Sequence, residues 1–183
     1  MAVRADAGGI DVAALAGARD VRLAFVTPSH QFPAGGVLTL ARRVALLEWA
    51  RAQDAWIFED DYDGEYRFAG RPLECLQALD RDGRVLYAGT ASKLLFPALR
   101  LGWLVVPASL VATVRALKAI ADTGSATLEQ LAFADFVRGG HLERHVRRSR
   151  ARHAARRAAL LAALARELEG RAEPVGSDAG LHV

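Results

Sequence analysis

The stretch Arg84-Val85-Leu86-Tyr87-Ala88-Gly89-Thr90-Ala91-Ser92-Lys93 contains the transition that decides the fold. Its first five residues are largely apolar and follow the turn signal Asp82-Gly83, which predicts a buried strand. The chain then changes to small and hydroxyl-bearing residues and reaches a lysine. A buried strand that ends in a polar loop is typical of the sheet edge at which α/β proteins bind ligands.

Three further apolar runs predict the other strands of a sheet, and helical patterns lie between and after them. The predicted strands cover residues 21–27, 55–58, 84–88 and 101–106, and the predicted helices cover residues 37–53, 109–121, 127–138 and 142–169. Strands that alternate with helices are typical of an α/β fold, in which helices cover a mostly parallel sheet. The expected fold class is therefore α/β.

The helix over residues 37–53 shows an apolar stripe near the 3.6-residue period. The stripe consists of Val37, Leu40, Ala41, Val44, Leu47 and Trp49. This pattern predicts that Arg42, Arg43 and Glu48 lie outside the buried face of the helix.

The composition is that of a globular protein and excludes several classes. The 183 residues are 52% hydrophobic and 25% charged, with a formal net charge of +3, which fits one domain with a sizeable core. No apolar run reaches the roughly 18 residues of a membrane span, and residues 1–6 lack the apolar region of a secretory signal. Cys75 is the only cysteine, which excludes an internal disulfide framework. The expected location is the cytoplasm.

Positive charge is concentrated between residues 141 and 171, where there are nine arginines and three glutamates. Such a segment is compatible with nucleic-acid binding. The alternative is a long helix whose exposed face uses arginine, and this is favoured because Lys93 and Lys118 are the only lysines. A chain that takes most of its positive charge from arginine has arginine-rich helix faces without binding nucleic acid.

Polar residues follow three of the predicted strands, at residues 27–33, 59–66 and 89–100. In open α/β sheets, ligands bind outside the carboxyl ends of the strands. We therefore expect the three loops to face a common site.

The loop over residues 89–100 contains Lys93 directly after a buried strand. A lysine in a dry setting loses its proton more easily and can form a Schiff base. Thr90, Ser92 and Arg100 add two hydroxyls and a bidentate cation, a set that suits a phosphate group. The alternative is an ordinary surface lysine at a strand–helix junction, with Thr90 or Ser92 as the helix cap.

The loop over residues 59–66 supplies carboxylates and the phenol of Tyr62. A carboxylate that faces a pyridine nitrogen keeps it protonated, and a phenol can bond the ring oxygen. Two alternatives are a solvated acidic turn and a weak divalent-metal loop of Asp61, Asp63 and Glu65, whose spacing fits no EF-hand. Taken together, a lysine able to form a Schiff base, a phosphate-binding loop, an acid and a phenol are the groups that would bind pyridoxal 5′-phosphate (PLP).

Residues 27–35, 59–66, 89–93 and 97–102 resemble the aminotransferase-like domain of MocR-type transcriptional regulators. These regulators are winged-helix proteins fused to a fold-type-I, class I/II aminotransferase module. The resemblance implies that Lys93 carries the Schiff base, Asp60 pairs with the pyridine nitrogen and Tyr62 bonds the ring oxygen. Asp60 is preferred to Asp61 because the family places its acid two residues before the tyrosine.

The remaining implied positions concern the phosphate and the ring. The phosphate is held by Thr90, Ser92 and Arg100, and His30 and Gln31 lie close to the ring without an assigned role. No metal is expected.

The resemblance also implies how much of the module is present. Residues 1–140 correspond to a partial large domain, and residues 141–183 to a long helix and the start of the small domain. Residues 180–183 are an apolar run typical of a strand beginning, which predicts that the chain is an internal piece of the module. Implied partners are an amino-acid or amine ligand, a second copy in a homodimer, and DNA only through an N-terminal domain. A stand-alone or degenerate aminotransferase is the alternative, and whether this chain is itself an enzyme is left open.

Overall fold

The computed structural model describes residues 1–18, 20–69, 73–168, 170–176 and 178–183. A short antiparallel hairpin of β1 and β2 precedes a four-stranded sheet in the order β3-β4-β5-β6. The strands are β1 (Ala5–Asp6), β2 (Gly9–Ile10), β3 (Leu23–Val26), β4 (Trp56–Asp61), β5 (Val85–Thr90) and β6 (Gly102–Val105). Strands β3, β4 and β5 are parallel, and β6 is antiparallel to β5. The predicted α/β class with a mostly parallel sheet is confirmed.

Within the described residues, five α-helices accompany the sheet. They are α1 (Leu40–Ala52), α2 (Leu76–Leu79), α3 (Val111–Asp122), α4 (Thr127–Arg138) and α5 (His141–Leu168). All four predicted helices are present within a few residues, and the predicted end of the last one at Glu169 lies outside the described residues. Within the part of the chain that the structure describes, no helix combines the length and the apolar character needed to cross a bilayer.

The core lies between the sheet and α1. One cluster of buried apolar side chains joins the two, together with a 3₁₀ turn at Val12–Leu15. Its members are Val12, Leu15, Val26, Leu38, Leu46, Trp49, Ala50, Ala55, Ile57, Leu76 and Val85. Full burial of one such aliphatic side chain is worth about 1.5–3 kcal/mol, so this layer fixes the position of β4 and of the polar loop that follows it.

The buried face of α1 differs from the predicted stripe. Arg43, expected outside it, is 1% exposed, whereas Leu40 and Val44 are 53% and 44% exposed. The guanidinium of Arg43 donates to the backbone carbonyls of Leu38 (2.9 Å), Glu74 (3.0 Å) and Pro28 (2.9 Å). Burial of an arginine is tolerated when its donors are paired, so Arg43 joins Leu46, Trp49 and Ala50 on the buried face of α1.

Residues 180–183 form no strand, so that prediction is wrong. The segment turns at Gly180, whose φ is +77°, and just before it Ala179 forms an isolated antiparallel bridge with Arg67. The amide of Gly180 donates to the carbonyl of Tyr66 (2.6 Å), and the amide of Leu181 donates to the Asp63 carboxylate (3.1 Å). The segment is therefore tied to the loop after β4 and not to a sheet.

Candidate functional site

The carboxyl ends of the parallel strands surround one open cavity of about 680 Å³. Thr27 follows β3, Asp60 lies near the end of β4, and Lys93 follows β5. The complete lining is Ile10, Phe25, Val26, Thr27, Gln31, Phe32, Asp60, Tyr62, Lys93, Leu181 and His182. The three loops that the sequence places at a common site thus meet there, as expected for strands that end at the same edge.

Asp60 and Asp61 have different surroundings because neighbouring residues of a strand face opposite sides of the sheet. Asp60 lines the cavity, whereas Asp61 accepts a hydrogen bond from the hydroxyl of Tyr87 (2.9 Å). Burial raises the pKa of the Asp60 carboxyl, and the nearby negative charges of Asp61 and Asp63 raise it further. A cationic group in the cavity would relieve this unfavourable charge.

Tyr62 presents a protonated phenol at the same cavity. Burial, assisted by the carboxylates of Asp63, Asp60 and Asp61, raises the pKa of Tyr62 well above its usual range. The hydroxyl donates to the backbone carbonyl of His30 (2.9 Å). A hydrogen bond from Tyr62 to a ligand therefore requires the hydroxyl to change its partner.

Lys93 is more open to solvent than the sequence predicts. Its side chain is exposed, and that of the neighbouring Phe96 is 53% exposed. The backbone of the loop is held from two sides: the Lys93 carbonyl accepts from the hydroxyl of Tyr66 (3.4 Å), and the Leu94 carbonyl accepts from Nε2 of His145 (2.8 Å). The loop is thus fixed while the amine stays accessible.

The three residues predicted to hold a phosphate are not gathered around this cavity. The Thr90 hydroxyl accepts from the amide of Ser92 (3.1 Å) and donates to the carbonyl of Leu101 (3.3 Å), so it is used within the loop. Arg100 is exposed, adopts a left-handed backbone (φ 50°), and lines a separate groove along β6. Of the six predicted site residues, the cavity brings together Asp60, Tyr62 and Lys93.

A buried cluster beside the cavity was not predicted as a unit. His30 Nδ1 lies 3.2 Å from Asp63 Oδ2, and His30 Nε2 lies 3.1 Å from the carbonyl of Gly176. The rings of His30 and His182 have centroids 4.1 Å apart. His30 was expected near the site, but residues 63 and 182 are too distant in the chain for spacing to reveal their contact.

An α/β sheet with a lysine, a carboxylate and a phenol at its carboxyl edge defines the large domain of an aminotransferase-like protein. The chain belongs to the family of class I and II aminotransferases, whose profile matches residues 3–183. The structure is similar to the kynurenine aminotransferase of Pyrococcus horikoshii (TM-score 0.88, 32% identity), covering 98% of this chain and 46% of that one. It is equally similar to the multiple substrate aminotransferase of Thermococcus profundus (TM-score 0.88, 29% identity), with coverage of 98% and 47%.

Among curated proteins, the similar sequences include transcriptional regulators. The uncharacterized HTH-type transcriptional regulator YhdI of Bacillus subtilis is 42% identical over 161 residues, which are 88% of this chain and 34% of that protein. The probable rhizopine catabolism regulatory protein MocR of Rhizobium meliloti is 47% identical over 131 residues, which are 70% of this chain and 26% of that protein. The resemblance to MocR-type regulators is confirmed, and the chain spans about a third or less of the length of these relatives.

Proposed function

We propose that this chain is a PLP-binding part of the aminotransferase-like domain of a MocR-type transcriptional regulator. The observation that carries the proposal is the convergence of Lys93, Asp60 and Tyr62 on one cavity at the carboxyl edge of the sheet. In the complete protein, the ligand would be an amino acid or amine, the assembly a homodimer, and the contact with DNA would come from an N-terminal domain.

The donor set fits PLP. An amine, a carboxylate and a protonated phenol are the groups needed for the aldehyde, the pyridine nitrogen and the ring oxygen of this cofactor. The raised pKa of Asp60, caused by burial and by neighbouring carboxylates, favours a cationic partner such as a protonated pyridine. Phe25, Val26 and Phe32 supply apolar surface for a ring.

PLP, when bound, withdraws electrons from an attached amine. Lys93 would hold the cofactor covalently through Nζ, and Asp60 would retain the proton on the pyridine nitrogen. Tyr62 would orient the ring once its hydroxyl leaves the His30 carbonyl. Thr90, Ser92 and Arg100 would hold the phosphate, for which the Arg100 side chain has to leave the groove along β6. We further place the division between the large-domain part and the small-domain part at residues 140 and 141.

A stand-alone or degenerate aminotransferase is the second candidate. It is supported by the aromatic-amino-acid aminotransferase 1 of Thermococcus litoralis, which is 35% identical over 128 residues. The regulator is preferred because the regulators YhdI and MocR reach 42% and 47% identity. Two arginines of α5 are used within the chain, since Arg150 donates to the carbonyl of Glu65 (2.9 Å) and Arg157 pairs with Asp178 (3.7 Å).

The test is covalent trapping of the cofactor, because the chain contains one matched control. The tag-free protein is incubated with PLP, reduced with borohydride, digested and analysed by mass spectrometry. We expect the adduct on the Lys93 peptide, its loss in Lys93→Ala, and its retention in Lys118→Ala, which removes a lysine paired with Asp122 on α3. An adduct that survives in Lys93→Ala, or that resides on Lys118, overturns the assignment.

A further inference from the structure

Three potential metal-ligating side chains meet beside the cavity. His30, Asp63 and His182 each offer one ligand atom, and these atoms lie within 4.8 Å of one another. His30 and Asp63 are each 1% exposed. None of the three is among the groups assigned to PLP, and the sequence predicts no metal here.

The hydrogen bonding of His30 determines which of its ring nitrogens can bind a metal ion. Nε2 lies 3.1 Å from the carbonyl oxygen of Gly176, and a carbonyl accepts hydrogen bonds only, so Nε2 carries the hydrogen. Neutral His30 therefore directs the lone pair of Nδ1 at Asp63 Oδ2, 3.2 Å away. Two acceptors at this distance require a cation at the contact, either a proton or a metal ion.

The unpaired atoms around the contact of His30 with Asp63 favour a metal ion over a proton. Within the described residues, Asp63 Oδ1 and His182 Nε2 are buried and have no hydrogen-bond partner, and each such atom costs about 1–3 kcal/mol. A proton on His30 would add a hydrogen bond to Asp63 Oδ2, which already accepts from the amide of Leu181 (3.1 Å), but it would leave Asp63 Oδ1 and His182 Nε2 unpaired. A metal ion bound through Nε2 of His182 would give that atom a partner, and binding by both oxygens of Asp63 would do the same for Oδ1.

The geometry and the surroundings agree with a small transition-metal site. Metal–ligand distances of about 2.0–2.1 Å in tetrahedral zinc sites place the ligand atoms roughly 3.3 Å apart, close to the observed 3.2 Å between His30 and Asp63. A ligating histidine commonly donates its other N–H to a backbone carbonyl, as His30 does to Gly176. Gly180 leaves space beside His30 Nδ1 and Asp63 Oδ2. A Cβ added at this glycine would lie 1.7 Å from the first atom and 2.6 Å from the second.

We propose that His30, Asp63 and His182 form a binding site for a divalent transition-metal ion of the Zn²⁺ class. Two imidazoles and one carboxylate favour such an ion over Mg²⁺ or Ca²⁺, which prefer oxygen ligands. The His182 ring is half-buried, and its ligand atom already lies within 4.8 Å of those of His30 and Asp63, so a small shift of this side chain would complete the site. The proposal does not depend on PLP, and its test uses the chain without that cofactor.

The experiment uses Co²⁺ as a spectroscopic probe and Zn²⁺ as the retained ion, with tag-free protein. We expect visible absorption bands that saturate at one Co²⁺ per chain, and one Zn²⁺ retained after dialysis. Asp63→Asn and His182→Ala should each weaken binding by at least about tenfold. His141→Ala is the matched control, because His141 is exposed on α5 and should leave binding unchanged.

Two further measurements keep the outcome clear if a variant is poorly folded. Zn²⁺ should raise the Tm of the unmodified chain and of His141→Ala, as a ligand that binds the folded state does. His182→Cys should restore binding through a thiolate and add a sulfur-to-cobalt absorption band. The proposal is overturned if the unmodified chain neither retains Zn²⁺ nor gives Co²⁺ bands, or if His182→Ala binds as tightly as His141→Ala.

Discussion

The acidic run at the end of β4 is divided among several separate environments. Glu59 accepts hydrogen bonds from the backbone amides of Leu76 (2.8 Å) and Gln77 (2.9 Å). Asp60 lines the cavity. Asp61 is hydrogen-bonded to Tyr87, and Asp63 to His30. A solvated acidic turn would show none of these contacts. Among the described residues, the side chains that Asp63 joins as potential metal ligands are His30 and His182, and not Asp61 and Glu65, so the metal loop that the sequence left open is not formed.

Asp60→Asn should weaken PLP binding more than Asp61→Asn. The protonated pyridine nitrogen would donate a charge-assisted hydrogen bond to the Asp60 carboxylate, and such a bond is about twice as strong as the neutral bond that asparagine can accept. Asp61 bonds Tyr87 instead, so its replacement should alter stability and leave PLP affinity nearly unchanged. PLP titration followed by absorbance measures both variants. Equal losses of affinity would mean that the wrong carboxylate has been chosen.

Glu59→Gln should lower the free energy of unfolding by about 3 kcal/mol, the cost of breaking a buried ion pair. Glu59 is 0% exposed, and its carboxylate lies 3.9 Å from the guanidinium of the buried Arg43. Glutamine removes the charge and directs an amide donor towards one of the two backbone N–H groups. Urea unfolding measures the change.

The control for this substitution is Glu48→Gln on α1. Glu48 is exposed, and surface substitutions usually change stability by less than about 0.5 kcal/mol. Similar changes in the two variants would contradict the structural role of Glu59.

At the scale of elements, apolar runs and turn signals predict the positions of the strands and long helices well. These patterns fail where hydrogen bonds to backbone carbonyls determine which side chain is buried. Arg43 is buried because three carbonyls, all outside α1, accept its protons, and no periodicity within residues 37–53 contains that information. The hairpin of β1 and β2 and the single turn of α2 were missed because two to four residues are too few to show a period.

His145→Ala should loosen the loop that carries Lys93 while α5 stays folded. Nε2 of His145 donates to the Leu94 carbonyl (2.8 Å), and such a bond contributes about 1 kcal/mol. We expect amide hydrogen exchange in the loop, including Leu95, to become about fivefold faster, the factor that corresponds to this energy. Exchange measured by mass spectrometry checks it.

The control for the loop is His141→Ala. Among the described residues, the ring of His141 contacts Arg144 on the same helix and Phe136 on α4, and none of the residues of the loop. Faster exchange in the loop of both variants would show that α5 as a whole, rather than the His145 bond, had been disturbed.

At the scale of the whole molecule, the proposed PLP site and the proposed metal site differ in how far the sequence predicts them. Asp60, Tyr62 and Lys93 follow strands whose carboxyl ends meet, so topology alone brings them together. His182 reaches His30 and Asp63 only because the final segment returns to the loop after β4, through the bridge of Ala179 with Arg67. That return depends on tertiary contacts, and local patterns contain no signal for it.

The chain should self-associate through its exposed apolar surface. Helix α3 buries none of its side chains, and Leu117 and Ile120 on it are 62% and 80% exposed. Apolar residues exposed together in this way favour association. Sedimentation velocity should therefore show a mass that rises with protein concentration, and the double variant Leu117→Glu, Ile120→Glu should shift the chain towards the monomer.

A charge-matched control separates the apolar face from a general effect of added negative charge. Ala112 and Ala119 are also exposed on α3, and at 3.6 residues per turn they lie roughly a third of a turn from the face of Leu117 and Ile120. Ala112→Glu, Ala119→Glu adds the same charge to the same helix and should leave self-association nearly unchanged. A monomeric unmodified chain, or equal dissociation of both double variants, would show that the apolar face of α3 does not drive assembly.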